Sequence, residues 1–139
     1  MAGRAPREGA QSGTAVDRGT DQVVLAVDGD RAIGAWLAGV LAGTETALVC
    51  ARDGRTALRL VADGRTSPDV LLTEIELPGM SGVELAARLT AMRPHLRVVM
   101  MTGDPERAAA ARRHPSIVAT VLLKPLDRDD ILAALRALA

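Results

Sequence analysis

Two carboxylates, a hydroxyl and an ammonium stand out because each closes a short apolar run: Asp28 after Val23-Val24-Leu25-Ala26-Val27, Glu74 after Val70-Leu71-Leu72-Thr73, Thr102 after Val98-Val99-Met100-Met101, and Lys124 after the run Val118 to Leu123. Any one of them has an ordinary explanation, since chains turn into solvent at such places. Brought together, the four groups would make a site able to hold an anion and a cation side by side. Lys124-Pro125 is the most specific element, because proline sets a rigid backbone after the run and can aim the lysine back over it.

For these groups to meet, the runs must be neighbouring strands that end at one edge. Continuous apolar runs of this length read as strands buried on both faces. A further run, Ala47 to Ala51, supplies the second of five. Between them lie helical patterns. Asp30 caps a helix with Ile33, Trp36, Leu37, Val40 and Leu41 on one stripe, and Asp53-Gly54 opens one carrying Ala57, Leu58 and Val61. Ser81-Gly82-Val83-Glu84 offers a capping box for a third, from which Leu85, Leu89 and Met92 face inward. Asp104-Pro105 puts a cap and a first-turn proline before an alanine-rich fourth, and Asp127 caps a fifth with Ile131, Leu132, Leu135 and Leu138. Five strands alternating with five helices predict an α/β, doubly wound three-layer sandwich with a parallel sheet, because parallel neighbours require crossovers. Ligands in such sheets sit beyond the carboxyl ends of the strands, where Asp28, Glu74, Thr102 and Lys124 fall.

Composition bounds the partners. The 139 residues are 48% hydrophobic, enough for one domain that buries roughly two thirds of its unfolded surface. Seventeen basic side chains balance seventeen acidic ones, so no net field draws the chain to nucleic acid or to an anionic membrane. Trp36 is the only aromatic residue, which removes the usual material for base stacking. No apolar stretch approaches the ~20 residues needed to span a bilayer, and the start lacks the apolar core of a signal peptide; a cytoplasmic protein is expected. Cys50, in an apolar stretch, is expected to be a buried thiol, and as the single cysteine it excludes an internal disulfide. His95 and His114 read as solvated. Residues 1–21 carry only Val16 as a branched aliphatic, too little to offset ordering entropy, and are expected to form a disordered tail before a folded domain over 22–139.

The folded part resembles the receiver domain of bacterial response regulators. Val24-Leu25-Ala26-Val27-Asp28-Gly29-Asp30 is similar to that family's first strand and acidic cluster, and Pro68-Asp69-Val70-Leu71-Leu72-Thr73-Glu74-Ile75-Glu76-Leu77-Pro78-Gly79-Met80-Ser81-Gly82 to its phosphoacceptor strand and loop. Thr102-Gly103 and Leu123-Lys124-Pro125 resemble its switch threonine and invariant lysine. The resemblance implies a flavodoxin-like (βα)5 fold with strand order 2-1-3-4-5. It also implies an aspartate that accepts a phosphoryl group, Mg2+ held by that aspartate and the acidic pair, and phosphoryl oxygens met by the threonine and lysine.

The departures fall on that chemistry. Glu74 stands where the family has the acceptor aspartate, and its extra methylene moves the carboxylate outward by more than ~1 Å, given a C–C bond of about 1.5 Å. Phosphoryl transfer depends almost wholly on positioning and charge neutralisation. Gly29 replaces the second member of the acidic pair, leaving Asp28 and a displaced Glu74 as weak metal ligands. Asp30 is the nearby substitute, and its place fits a helix cap better. Val121 stands three residues before the lysine, where the family often has an aromatic that swings inward. The expectation is a non-enzymatic, stand-alone signalling module that needs no cofactor. It would present the face of its last two helices and fifth strand to a histidine kinase or another regulator. Glu74, paired with Lys124 and with Thr102 in the same network, would imitate part of the phosphorylated charge pattern. The chain stops at Ala139, after the last helix, so any output is expected in trans. The alternative is a phosphorelay shuttle that accepts a phosphoryl group at Asp28. A small-ligand sensor has no Gly-rich phosphate loop or metal-ligand cluster to support it.

Overall fold

Five aliphatic runs alternate with five capped helices in the computed structural model, which describes residues 22–139. In order these are β1 (Gln22–Val27), α1 (Arg31–Leu41), β2 (Thr46–Ala51), α2 (Gly54–Ala62), β3 (Val70–Glu74), α3 (Gly82–Met92), β4 (Arg97–Thr102), α4 (Pro105–Ala111), β5 (Thr120–Leu123) and α5 (Arg128–Ala137). The strands form one parallel sheet in the order β2-β1-β3-β4-β5, as the resemblance implies. The strand order therefore reverses between β1 and β3, the crevice where side chains at the strand ends are least covered. The tail expected over residues 1–21 lies outside the described residues.

Successive side chains of each central strand feed two separate cores, which is why the runs show no polar alternation. Leu25, Val27, Leu71, Val98 and Met100 pack with Ala57, Leu85, Leu89 and Ala111 on the α2–α3–α4 side. Val24, Ala26, Val70, Leu72, Val99 and Met101 pack with Leu37, Val40, Leu41, Ile131 and Leu135 on the α1–α5 side. Each helix begins at a capping side chain: Asp30, Ser81, Asp104 and Asp127, as the sequence predicts, and also Asp53 of the turn before α2 accept hydrogen bonds from first-turn amides. The capping box at α3 is half made. Ser81 Oγ accepts from Glu84 N at 3.0 Å, while the Glu84 carboxylate turns outward to Arg88.

Three local expectations are corrected. Cys50 is exposed rather than buried, because β2 is an edge strand and only one flank of the thiol lies against protein, where burial pushes its pKa up. Met92 is 45% exposed: it is the last residue of α3, where Arg93 takes the inner contact through an Nε hydrogen bond to Pro68 O. The fifth strand is shorter than the apolar run. Val118 is buried, but its amide closes a turn on His114 O, so β5 starts at Thr120.

Candidate functional site

The loop from Glu74 to Gly82 shapes the crevice. Gly79 takes a left-handed φ of 81°, which an L side chain rarely adopts. Gly82 returns so close to β3 that a Cβ there would lie 2.2 Å from the Glu74 carbonyl oxygen. That approach lets Gly82 N donate to Ile75 O at 2.7 Å and anchors the loop across the strand end.

Asp28, at the end of β1, and Glu74, at the end of β3, are 8% and 7% exposed, and Lys124, just beyond β5, reaches both. Its Nζ donates to Asp28 Oδ2 at 2.6 Å and to Glu74 Oε1 at 2.5 Å. The remaining carboxylate oxygens are also engaged. Asp28 Oδ1 accepts from Asp30 N at 2.8 Å, and Glu74 Oε2 accepts from Ile75 N at 3.0 Å and Glu76 N at 3.2 Å. Burial alone would lower the Lys124 pKa, but hydrogen bonds and Coulombic attraction from Asp28 and Glu74 outweigh it and hold the ammonium above the ordinary lysine range. Lys124 follows a strand and precedes a cis Lys124–Pro125 bond. It is the only lysine in the chain; the other sixteen of its seventeen cationic side chains are arginines. A compact ammonium can bridge two carboxylates where a planar guanidinium would not fit the same gap.

The other residues singled out from the sequence divide. Asp30 caps α1, its Oδ1 accepting from Ala32 N at 2.9 Å. Gly29 leaves space: a Cβ there would come no nearer than 3.8 Å to Pro78 and 3.9 Å to the Arg52 carbonyl oxygen. Val121 is half-buried against the α2–α3–α4 core. Thr102 is fully buried, and here the structure corrects the expectation of a shared side-chain network. Its Oγ1 accepts from Asp104 N at 3.1 Å, and only its backbone carbonyl meets Lys124, through the amide at 2.8 Å. The reason is local: the hydroxyl serves the turn into α4 just after the strand. Sequence reasoning missed two features, the sharing of Lys124 by Asp28 and an ion pair from Glu76 to Arg107 on α4. The lone lysine was a readable signal for the first; only proximity in space reveals the second.

The donor set does not fit Mg2+. That ion wants near-octahedral oxygen ligands at about 2.0–2.1 Å. Here only Asp28 and Glu74 bring carboxylates, the Lys124 ammonium lies between them where a cation would have to enter, and Gly29 brings no side chain. Among the described residues no group of three or more His, Cys, Asp or Glu is placed to hold a metal. What the arrangement provides is a fixed pattern of charge, one cation between two anions.

Comparison with known proteins agrees with the fold. The family described as response regulator receiver domain matches residues 24–136. The DNA-binding transcriptional regulator NtrC of Escherichia coli K12 is 32% identical over 111 residues, which are 80% of this chain and 23% of NtrC. The response regulator MprA of Mycolicibacterium vanbaalenii is 30% identical over 118 residues, 83% of this chain and 49% of MprA. The chain thus spans about a quarter to a half of these relatives. The signal receiver domain of an HD domain-containing protein from Pseudomonas fluorescens Pf-5 superposes with a TM-score of 0.77 at 29% identity, covering 90% of each chain. The chemotaxis response regulator CheY4 of Vibrio cholerae shares the fold, with a TM-score of 0.74 at 22% identity over 86% of this chain and 100% of its own. No helix among the described residues is long and apolar enough to cross a membrane.

Proposed function

This chain belongs to the response regulator receiver domain family of two-component signalling, and from that premise we propose that it signals by binding another protein without being phosphorylated. One observation carries the reading: Lys124 Nζ bridges Glu74 Oε1 at 2.5 Å and Asp28 Oδ2 at 2.6 Å. Bonds from Lys124 Nζ to Oε1 and from the Ile75 and Glu76 amides to Oε2 hold the Glu74 carboxylate in one place, and phosphoryl transfer depends almost wholly on positioning. The Glu74–Lys124 pair supplies part of the charge pattern that a phosphoryl group would create. A single carboxylate carries less charge and two acceptor oxygens instead of three, so the imitation is partial.

The partner in this reading is a histidine kinase or another regulator, in the cytoplasm, and the docking face is the one formed by α4, β5 and α5. Leu123 of β5 supports that choice, since it is one of two large apolar side chains left exposed among the described residues. The balance of seventeen basic and seventeen acidic side chains supports a protein partner over nucleic acid or a membrane.

The test is incubation with acetyl phosphate, with and without Mg2+, followed by intact-mass measurement. We expect no added phosphoryl mass in either case. A metal-dependent adduct that survives Glu74→Gln and is lost in Asp28→Asn would replace this reading with that of a phosphorelay shuttle using Asp28.

A further inference from the structure

We propose that Arg107 and Glu76 are positioning residues that tie α4 to the loop after β3, so that the seat of α4 depends on that loop. The tether stands on contacts separate from those that carry the proposed function.

The argument begins with how little holds α4 by apolar packing. The helix has seven residues, Pro-Glu-Arg-Ala-Ala-Ala-Ala, and only Ala108 and Ala111 are buried. By contrast α1 buries Leu37, Val40 and Leu41, and α5 buries Ile131 and Leu135. A methyl group removes far less surface from water than an isobutyl group, so polar ties carry more of the positioning at α4 than elsewhere. They are concentrated at its first turns. Asp104 N donates to Thr102 Oγ1 at 3.1 Å, and Asp104 Oδ1 caps Glu106 N at 2.9 Å. Arg107 then reaches out of the helix to the Glu76 carboxylate, and its Nε lies 3.5 Å from Asp104 Oδ2.

Glu76 is the hinge of this contact. Its amide donates to Glu74 Oε2 at 3.2 Å while its carboxylate holds Arg107. A shift of the Glu74 carboxylate therefore acts on the backbone of the residue that grips α4. Arg107 and Glu76 side chains are 52% and 51% exposed, so the tether is modest and weakens with salt. A modest tether suffices to bias a helix seated by two alanines.

The experiment is backbone amide exchange by NMR on the full chain, at about 0.01 M salt where the Debye length is about 30 Å. Arg107→Gln and Glu76→Gln should each speed exchange of the amides from Ala108 to Arg112 by about two- to five-fold, the range an exposed ion pair sustains. The double variant should be no faster than Arg107→Gln alone, because that substitution already removes the contact with Glu76. Unchanged exchange in the single variants, or effects that multiply in the double, would overturn the tether. Glu74→Gln in the same measurement separates the two ideas. Faster exchange on α4 supports transmission from the site. No change there, alongside a response to Arg107→Gln, leaves the tether standing and removes the active role given to Glu74.

Discussion

At the scale of single residues the energetics turn on Lys124. Asp28 and Glu74 are nearly buried and face one cation, so removing that cation leaves two desolvated carboxylates opposite each other. Breaking such a pair costs about 3–5 kcal/mol when burial is complete. Lys124 is 22% exposed, so we expect Lys124→Met to lose about 2–3 kcal/mol in urea unfolding at neutral pH. The pH dependence has a definite sign. A lysine held above its ordinary range contributes stability that is complete below that range and is lost as pH rises through the folded value. The urea midpoint should therefore fall at strongly alkaline pH, and the fall should be absent in Lys124→Met. With no tyrosine and no second lysine in the chain, few other groups titrate there. Cys50, also pushed up, acts in the same direction, so the comparison belongs in a Cys50→Ser background.

At the scale of elements, caps were the most legible feature and loops the least. A side-chain oxygen placed before an apolar stripe satisfies the same orphan amides in any fold, so Asp30, Ser81, Asp104 and Asp127 could be read locally. The seat of the loop between β3 and α3 could not. It depends on Gly82 approaching the Glu74 carbonyl, a contact eight residues away in sequence. Gly82→Ala would place Cβ 2.2 Å from that oxygen, so backbone must move. We expect a loss of about 2–3 kcal/mol in thermal or urea unfolding, the upper part of the range for overpacking. A variant as stable as the parent would show that the loop relaxes freely. The same limit explains Met92, whose place on the α3 stripe is regular but whose burial depends on what lies opposite.

At the scale of the whole molecule, the parallel order β2-β1-β3-β4-β5 brings residues nearly a hundred positions apart, Asp28 and Lys124, to one crevice. Cation binding there would be linked to global stability. Since the present donor set does not suit Mg2+, we expect no shift in Tm on adding millimolar Mg2+ to the parent chain. Gly29→Asp with Glu74→Asp would restore a third carboxylate in open space and shorten the second. That double variant should gain a few degrees in the same thermal scan, as expected for ~1 kcal/mol of linked binding. A rise in the parent, or none in the variant, would show that Gly29 and Glu74 do not set the metal preference.

Read without coordinates, the chain already specified alternating strands and helices, their caps and the four residues that close the strand runs, because these follow from periodicity and local hydrogen bonding. It also showed, by residue type alone, that Glu74 and Gly29 depart from the receiver pattern. Tertiary structure decided who pairs with whom. Lys124 divides itself between two carboxylates, the Thr102 hydroxyl turns to Asp104 instead of joining them, and Arg107 crosses to Glu76. Exposure of Cys50 was settled there too, by the edge position of β2. Residue type limits which bonds a side chain can form, but competition among donors and acceptors is resolved only when the sheet sets their distances.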